Sequence, residues 1–260
     1  MANYLDSHCH LNDKQLLEDF DGVLARAKEA GVHTLLLIGW DVESSRKAVE
    51  LAQNNEGVYA AVGIHPENLE GVTEDSLLEI EKLAANEKVI AIGEIGLDYH
   101  WFSDPKDHEN QKKWFIAQIE LANKLGLPCS IHARDASQDT YDLLKAHPIH
   151  ASAVLHCYSG SPEMLKEFAK LGYYFGFDGP VTFKNSVTPK QCALICPLDR
   201  LLVETDSPYM APAPFRGKTN EPKYVPLIVS QIAEIRGMSV ENLKDAIEEN
   251  FQNLFHVKPL

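Results

Sequence analysis

The stretch VHTLLLIG at residues 32–39 is a continuous apolar run of strand length. It follows Gly31, which stands where the C-terminal cap of a helix is expected. Before that glycine, apolar side chains recur at helical spacing at Leu16, Phe20, Val23, Leu24 and Ala27. An apolar strand flanked by helices is typical of a parallel sheet that is covered on both faces. The stretch therefore predicts an α/β fold.

The alternation of helix and strand repeats along the chain. Helices are predicted near residues 43–53, 74–86 and 106–126. Strands are predicted at the segment that ends with residues 8–10 and at 32–39, 58–65, 89–96, 127–132, 153–157, 173–177 and 200–206. A (β/α)8 TIM barrel needs about 250 residues, so we predict a single domain of this fold over residues 1–260. An open doubly wound sheet is the alternative, although no GxGxxG follows the first strand.

The C-terminal segment predicts one more helix outside the barrel repeat. Ser239 is a suitable N-cap. Apolar residues then recur at spacings of three and four residues at Val240, Leu243, Ile247, Phe251 and Leu254. We expect this amphipathic helix to pack against the outer ring of helices.

Charge and composition exclude several classes of protein. The net charge of −14 argues against a protein that holds duplex nucleic acid through a broad basic surface. The sequence has no run of about eighteen uncharged apolar residues and no basic segment before an apolar core, so we expect neither membrane insertion nor secretion. An odd number of cysteines in mostly apolar runs predicts free thiols in a reducing, cytoplasmic setting. These are Cys9, Cys129, Cys157, Cys192 and Cys196.

Ionisable residues stand at the ends of the predicted strands. The segment DSHCHL at residues 6–11 places His8 and His10 two positions apart, and residues at this spacing on a strand face the same side with α-carbons about 6.6 Å apart. In a barrel, the carboxyl ends of all strands meet at one mouth. The further residues at such ends are His65, Glu94, His132, His156, Glu204 and Asp206. Their convergence predicts a metal centre.

The number of these groups favours two ions over one. A catalytic ion takes about three protein ligands and keeps a position for water, whereas this mouth offers four histidines and two carboxylates even without His65 and Glu204. Imidazole and carboxylate ligands suit zinc, manganese, iron or nickel, and magnesium fits the oxygen-rich side. Two divalent ions about 3.5 to 4 Å apart would activate a water molecule for hydrolysis.

Six segments resemble signature segments of the TatD-type metal-dependent deoxyribonuclease family. They are YLDSHCHLN, GEIGLDY, LPCSIHARDA, VLHCYSG, LLVETDSPY and PAPFRGKTNEP, in this order along nearly the whole chain. The resemblance implies a (β/α)8 barrel related to amidohydrolases, two metal ions, and DNase activity that includes removal of nucleotides from a 3′ end. It implies one ion on His8, His10, Glu94 and Asp206, and a second on Glu94, His132 and His156.

Chemical roles can be predicted for the carboxylates. Glu94 has two oxygens, so it can bridge both ions and reduce their repulsion. Asp206 is our candidate for both metal ligand and general base. Glu204 is a catalytic candidate too, but its place two residues before Asp206 favours the orientation of a ligand histidine or a nearby cation over direct catalysis.

Substrate contacts are predicted from residues near the strand ends. Arg134 would hold a phosphate, with a salt bridge to Asp135 or Asp139 as the alternative. Arg216 lies in a proline-rich loop after the last strand, where a guanidinium and backbone amides can hold a phosphate. His65 would contact the scissile phosphate or a metal-bound group. His100 and its aromatic neighbours would stack on a base, and Lys184 is a further candidate for substrate contact.

Three classes of function are compatible with these residues. The first is a metal-dependent deoxyribonuclease of the 3′-5′ exonuclease type that favours single-stranded ends, because an acidic mouth suits one strand better than a duplex. The second is a two-metal hydrolase of an amide, ester or lactone bond, since the same centre does not specify the electrophile. The third is a metal-containing binding protein. We infer no obligate protein partner.

Overall fold

The computed structural model describes residues 3–260, so Met1 and Ala2 of the predicted domain lie outside the described residues. Eight parallel strands form one sheet in the order β1 to β8, so each strand neighbours the next one along the chain. This arrangement confirms the predicted (β/α)8 barrel. The strands are β1 Tyr4–Cys9, β2 Val32–Ile38, β3 Val58–Val62, β4 Val89–Asp98, β5 Cys129–Arg134, β6 Ala153–Leu155, β7 Tyr174–Phe177 and β8 Leu201–Val203.

Helices connect the strands and cover the outside of the sheet. They are α1 Lys14–Leu17, α2 Phe20–Glu29, α3 Val42–Gln53, α4 Glu74–Ala84, α5 Pro105–Leu125, α6 Ser137–Ala146, α7 Pro162–Lys170, α8 Thr188–Ile195, α9 Val225–Arg236 and α10 Val240–Phe255. The strands are buried on both faces; β4, for example, is buried at all of its 10 positions. This burial explains why the strands are continuous apolar runs in the sequence.

Helix α5 shows how the sequence sets the ends of these elements. The Asp104 side chain accepts a hydrogen bond from the Lys106 N–H at the start of the helix, and Pro105 occupies a first-turn position that needs no donor. At the other end, Gly126 has φ 69°. Glycine adopts this left-handed conformation without a steric penalty, so it ends the helix.

Several predicted boundaries are wrong. Strand β3 ends at Val62, and His65, which precedes Pro66, is the N-cap of a short 3-10 helix, Pro66–Asn68. Strand β8 ends at Val203, and Asp206 beyond it has φ 55°, which no strand residue adopts. Strand β4 instead continues past Glu94 to Asp98, so Glu94 lies within the strand.

Side chains join the first and last strands. The Asp6 carboxylate is fully buried in β1 and accepts hydrogen bonds from the backbone N–H (2.9 Å) and the hydroxyl of Thr205, just after β8. The Ser7 hydroxyl donates to the Val203 carbonyl at 3.1 Å. Beyond β8, the Asp206 N–H donates to the His8 carbonyl at 3.0 Å. These contacts close the barrel and hold the ends of β1 and β8 side by side.

The C-terminal helix was predicted, and α10 confirms it. Its N-cap is Ser239, whose side chain accepts a hydrogen bond from the Asn242 N–H. The helix packs against β8, β1 and α9. Within residues 3–260, no helix is long and apolar enough to cross a membrane.

We predict that Phe251→Ala lowers the free energy of unfolding by about 3–5 kcal/mol, because it leaves a cavity under α10. The Phe251 side chain is fully buried. Chemical denaturation monitored by circular dichroism measures the change. The exposed neighbour Gln252 provides the control, and Gln252→Ala should change stability by less than about 0.5 kcal/mol. Equal effects of the two substitutions would contradict the packing of α10.

Candidate metal centre

The predicted ligands converge at the carboxyl ends of the strands. His8 lies in β1 and His10 just beyond it, Glu94 lies in β4, and His132 lies in β5. His156 follows β6 by one residue, and Asp206 follows β8 by three. All of these side chains are largely buried, as expected for residues that face the interior of the barrel mouth.

The first cluster consists of His8, His10, Asp206 and the Oε2 atom of Glu94. The Nε2 atoms of the two histidines are 3.2 Å apart. They lie 3.5 and 3.7 Å from Glu94 Oε2, and 3.7 and 3.4 Å from Asp206 Oδ1. Ligands about 2.0–2.2 Å from a tetrahedral ion are about 3.3–3.6 Å from each other. The first cluster therefore has the dimensions of a divalent metal site.

The second cluster consists of His132, His156 and the Oε1 atom of Glu94. His132 Nδ1 and His156 Nε2 are 3.4 Å apart, which fits two ligands of one ion. Oε1 lies 3.0 Å from the first nitrogen and 2.6 Å from the second, so these groups are in direct hydrogen-bonding contact. Two imidazoles and a carboxylate are a donor set that suits a divalent ion.

Glu94 presents a different oxygen to each cluster, and it is the residue that the two clusters share. Its side chain is 5% exposed. Burial by itself raises the pKa of a carboxyl group, but the surrounding imidazoles, His156 and His65 first among them, hold the pKa of Glu94 well below its usual value. Glu94 is therefore an ionised carboxylate between two groups of histidines, the arrangement required of a bridging ligand.

Hydrogen bonds fix which ring nitrogen of each histidine is available. His10 Nδ1 lies 3.2 Å from the Ile38 carbonyl, which only accepts, so this nitrogen carries a proton and Nε2 is the nitrogen that a metal ion would use. His132 Nε2 donates to Asp98 Oδ2 at 2.8 Å, so its Nδ1 is the nitrogen that a metal ion would use. In both residues the free nitrogen is the one that faces Glu94. The ligand atoms are thus prepared for metal binding.

In His65, by contrast, the ring nitrogen that faces Glu94 is the one that carries the proton. Its Nδ1 accepts a hydrogen bond from the Glu67 N–H at 3.1 Å, so in the neutral ring the proton is on Nε2. That Nε2 lies 3.3 Å from Glu94 Oε1. By distance alone His65, Glu94 and His132 form a group that could hold a metal ion. The position of the proton makes His65 a hydrogen-bond donor to Glu94 or to a substrate instead.

Asp98 and Ser130 are residues of this centre that the sequence interpretation missed. Asp98 is fully buried; its Oδ2 accepts from His132, while its Oδ1 accepts from the N–H groups of His100 and Trp101. Ser130 Oγ lies 3.1 Å from His8 Nδ1. A signal for Asp98 was present, since it stands four residues after Glu94 and side chains on a strand alternate with a period of two. It was missed because the strand was predicted to end at Gly96.

Glu204 lies behind His156 and away from the mouth. The residue is fully buried, and its Oε1 is 3.6 Å from His156 Nδ1, just beyond hydrogen-bonding distance. The same oxygen accepts the backbone N–H of Cys157, and Oε2 lies 3.3 Å from the Ser7 hydroxyl oxygen. The glycine at residue 176 leaves room for this carboxylate, because a Cβ there would come within 2.2 Å of Oε2.

Asp206 is held in an unusual conformation. Its φ of 55° is uncommon outside glycine, and such backbone persists only where its surroundings enforce it. Burial alone raises the pKa of Asp206, but the hydrogen bond from His10 and the charges of the neighbouring histidines lower it below its usual value. Asp206 is therefore a carboxylate that points at the two histidines of β1.

The predicted substrate residues of the β4–β5 side form an exposed group. The Arg134 guanidinium lies 5.4 Å from the centre of the Trp101 ring, and Trp101 is 64% exposed. Neither predicted salt bridge of Arg134 is present, because Asp135 contacts His100 Nδ1 at 2.9 Å and Asp139 pairs with Lys112. Arg134 is thus free of carboxylates among residues 3–260 and beside an aromatic surface.

A second exposed group lies on the β7–β8 side. The Arg216 guanidinium is 4.5 Å from the centre of the Phe183 ring, and Lys184, the next residue after Phe183 in the chain, is exposed. Asn220, from the same loop as Arg216, is buried and donates to the carbonyls of Thr205 and Tyr209. Asn220 therefore anchors the loop, and only the exposed part of the loop is available to a substrate.

Comparisons with known proteins agree with the fold and with a metal-dependent hydrolase. A family model described as TatD related DNase matches residues 5–256. An uncharacterized metal-dependent hydrolase of Bacillus subtilis (strain 168), YabD, is 44% identical over 253 residues, which cover 97% of this chain and 98% of that protein. YcfH of Escherichia coli (strain K12), with the same description, is 37% identical and covers 97% and 96%. The crystal structure of YjjV, a TatD homolog from Escherichia coli K12, has a TM-score of 0.92 at 31% identity and covers 98% of both chains.

We predict that His10→Ala lowers the metal content by about one ion per chain, because it removes a ligand from the first cluster and leaves the second intact. His8→Ala should do the same. Elemental analysis of the purified protein measures the content, and circular dichroism checks the fold. His33→Ala, at the opposite end of the barrel, is the control. Retention of both ions in the His10 variant would contradict the assignment of the first cluster as a metal site.

We predict that Asp98→Asn lowers the binding affinity for one of two bound ions by about tenfold, because His132 loses the charged acceptor that orients its ring. Competition with a chelator of known affinity measures this change. Asp139→Asn is a suitable control, since Asp139 pairs with Lys112 outside the centre. Unchanged affinity for both ions would show that Asp98 does not support the second cluster.

Proposed function

The chain belongs to the family of TatD-related DNases and is a metal-dependent hydrolase, and on this premise we propose that it hydrolyses phosphodiester bonds of DNA at single-stranded 3′ ends. The observation that supports the proposal most directly is the division of the Glu94 oxygens between the first and second clusters. A bridging carboxylate between two groups of histidines is suited to two closely spaced ions. We further infer that residues 1–260 act as one domain, because the ligands come from strands at both ends of the sheet order.

When bound, two divalent ions supply Lewis acidity to a phosphoryl oxygen and lower the pKa of water. Zinc, magnesium, manganese, iron and nickel are all compatible with this donor set. His8, His10 and Asp206 would hold one ion on one side of Glu94, and His132 and His156 would hold the other. Hydrogen bonds to buried partners hold His8, His10 and His132 in advance, so these ligands reorganise little during the reaction.

Asp206 and His65 are the residues assigned to proton transfer and hydrogen bonding at the reacting phosphate. Asp206, at the edge of the first cluster, accepts the proton of the attacking water as general base. His65 carries its proton on Nε2 and donates a hydrogen bond to a phosphate oxygen or to Glu94. Glu204 acts on His156 from behind, as a positioning residue.

Exposed cations and aromatic rings favour a nucleic-acid strand as the substrate. Arg134 with Trp101 and Arg216 with Phe183 each combine a guanidinium with a ring, and Arg216 with Lys184 adds positive charge to one side. Guanidinium groups bind phosphates, and rings stack on bases regardless of sequence. His100, tied to Asp135, is placed in the same group as Trp101. The net charge of −14 limits contact with an enclosed duplex, so a single strand end suits this mouth better.

The proposal is tested with metal-depleted protein, a 3′-labelled single-stranded oligonucleotide, and added magnesium, manganese or zinc. We expect metal-dependent release of 3′ nucleotides that Glu94→Ala abolishes, since this variant loses the shared ligand. Activity in that variant equal to the parent protein would identify a contaminating nuclease. Hydrolysis of an ester, amide or lactone in place of DNA would instead support a small-molecule hydrolase.

We predict that Arg134→Ala and Arg216→Ala each lower kcat/KM for the oligonucleotide by about tenfold or more, because each removes a charged hydrogen bond to phosphate of about 1.5–3 kcal/mol. Steady-state kinetics at fixed salt measures the loss. Arg46→Ala, on the outer helix α3, is the matched control and should retain full activity. Unchanged rates in the Arg134 and Arg216 variants would remove their phosphate role.

A further inference from the structure

Beside the first cluster, three residues that follow neighbouring strands bring a thiol and two carboxylates together. Cys157 stands two residues after β6, Asp178 directly after β7, and Asp206 three residues after β8. One ligand atom from each lies within 4.8 Å of the others. The Cys157 thiol is 3.4 Å from Asp178 Oδ2. Neither Cys157 nor Asp178 has a role in the two clusters described above.

Asp178 is a buried carboxylate without a suitable partner. The residue is only 5% exposed, and its side chain makes one hydrogen bond within residues 3–260, from the Cys157 thiol. It precedes a short 3-10 helix, yet its side chain does not cap that helix. No lysine or arginine of the described chain pairs with it. A thiol is a weak hydrogen-bond donor, so Asp178 has no charged partner among the described residues. A bound cation would supply that partner.

The position of Cys157 directs its sulfur to the same place. Its backbone has φ 41°, and its N–H is held by Glu204 Oε1. The side chain is partly exposed, whereas Cys9, Cys129, Cys192 and Cys196 are buried. Cys157 is thus the cysteine of this chain that solvent and ions can reach most easily.

We propose that Cys157, Asp178 and Asp206 form a third cation site that selects zinc or another thiophilic divalent ion. A sulfur ligand about 2.3 Å and an oxygen ligand about 2.1 Å from a tetrahedral ion are about 3.6 Å apart, close to the 3.4 Å between Sγ and Oδ2. The thiol proton leaves to solvent when the ion binds, and the thiolate becomes the ligand.

A thiolate sets this site apart from the other two. The first and second clusters contain only imidazoles and carboxylates, which also accept magnesium or manganese, whereas a thiolate disfavours those hard ions. Asp206 belongs to both the first cluster and the third site, so their occupancies are coupled. Three protein ligands leave one position open, as in metal sites that admit an exogenous oxygen ligand. The proposal does not depend on DNA being the substrate.

Cobalt(II) is the probe for the test, because a thiolate ligand gives it a near-ultraviolet charge-transfer absorption that imidazole and carboxylate ligands do not. Metal-depleted protein is titrated with cobalt, and bound ions are counted by elemental analysis. We expect the charge-transfer band in the parent protein, together with one ion more than Cys157→Ser binds. Cys157→Ser should lose the band, and Asp178→Asn should need about tenfold more cobalt or more to develop it.

Cys192→Ser is the matched control, since this buried thiol lies on α8 and contacts the carbonyl of residue 160. It should keep the full band. Circular dichroism verifies the fold of each variant, and the Asp178 variant decides the outcome should the Cys157 variant not fold. The proposal is overturned by cobalt-loaded parent protein without the band, or by a band that is unchanged in Cys157→Ser or in Asp178→Asn.

Discussion

The carboxylate of Asp6 joins the first strand of the barrel to the chain that leaves the last strand, and the metal centre depends on this contact. Asp6 accepts the backbone N–H and the hydroxyl of Thr205, and all of these groups are buried. A buried carboxylate without such donors would be costly, so the two chain segments are held together. The result is that His8 and His10 lie within 3.7 Å of Asp206 Oδ1.

Around this junction, each ligand has a buried partner behind it. Asp98 supports His132, Ser130 contacts His8, the Ile38 carbonyl supports His10, and Glu204 lies behind His156. In His10 and His132, the Ile38 carbonyl and Asp98 select the ring nitrogen that faces Glu94. The mouth is consequently rich in carboxylates and poor in fixed cations at its centre, while Arg134 and Arg216 stand at its exposed edge. Bound divalent ions would offset the buried negative charge.

The fold could be predicted because each strand is an apolar run bounded by helix signals, as in residues 32–39. The convergence of His8, His10, Glu94, His132, His156 and Asp206 followed from the barrel rule that strand ends meet. Strand boundaries were predicted less well, because Pro66 and the left-handed Asp206 end the regular backbone through local geometry. The wrong end of β4 is what concealed Asp98. The salt bridges considered for Arg134 failed because other residues, His100 and Lys112, compete for the same aspartates.

The sequence by itself determined the barrel, the C-terminal helix and the set of histidines and carboxylates at its mouth, because periodicity and strand ends are local properties of the chain. Only the tertiary structure decided which oxygen of Glu94 faces which histidines, which nitrogen of His65 carries the proton, and that Cys157 meets Asp178. These pairings join residues far apart in the chain. Their distances are set by barrel closure and by buried hydrogen bonds, which no local pattern encodes.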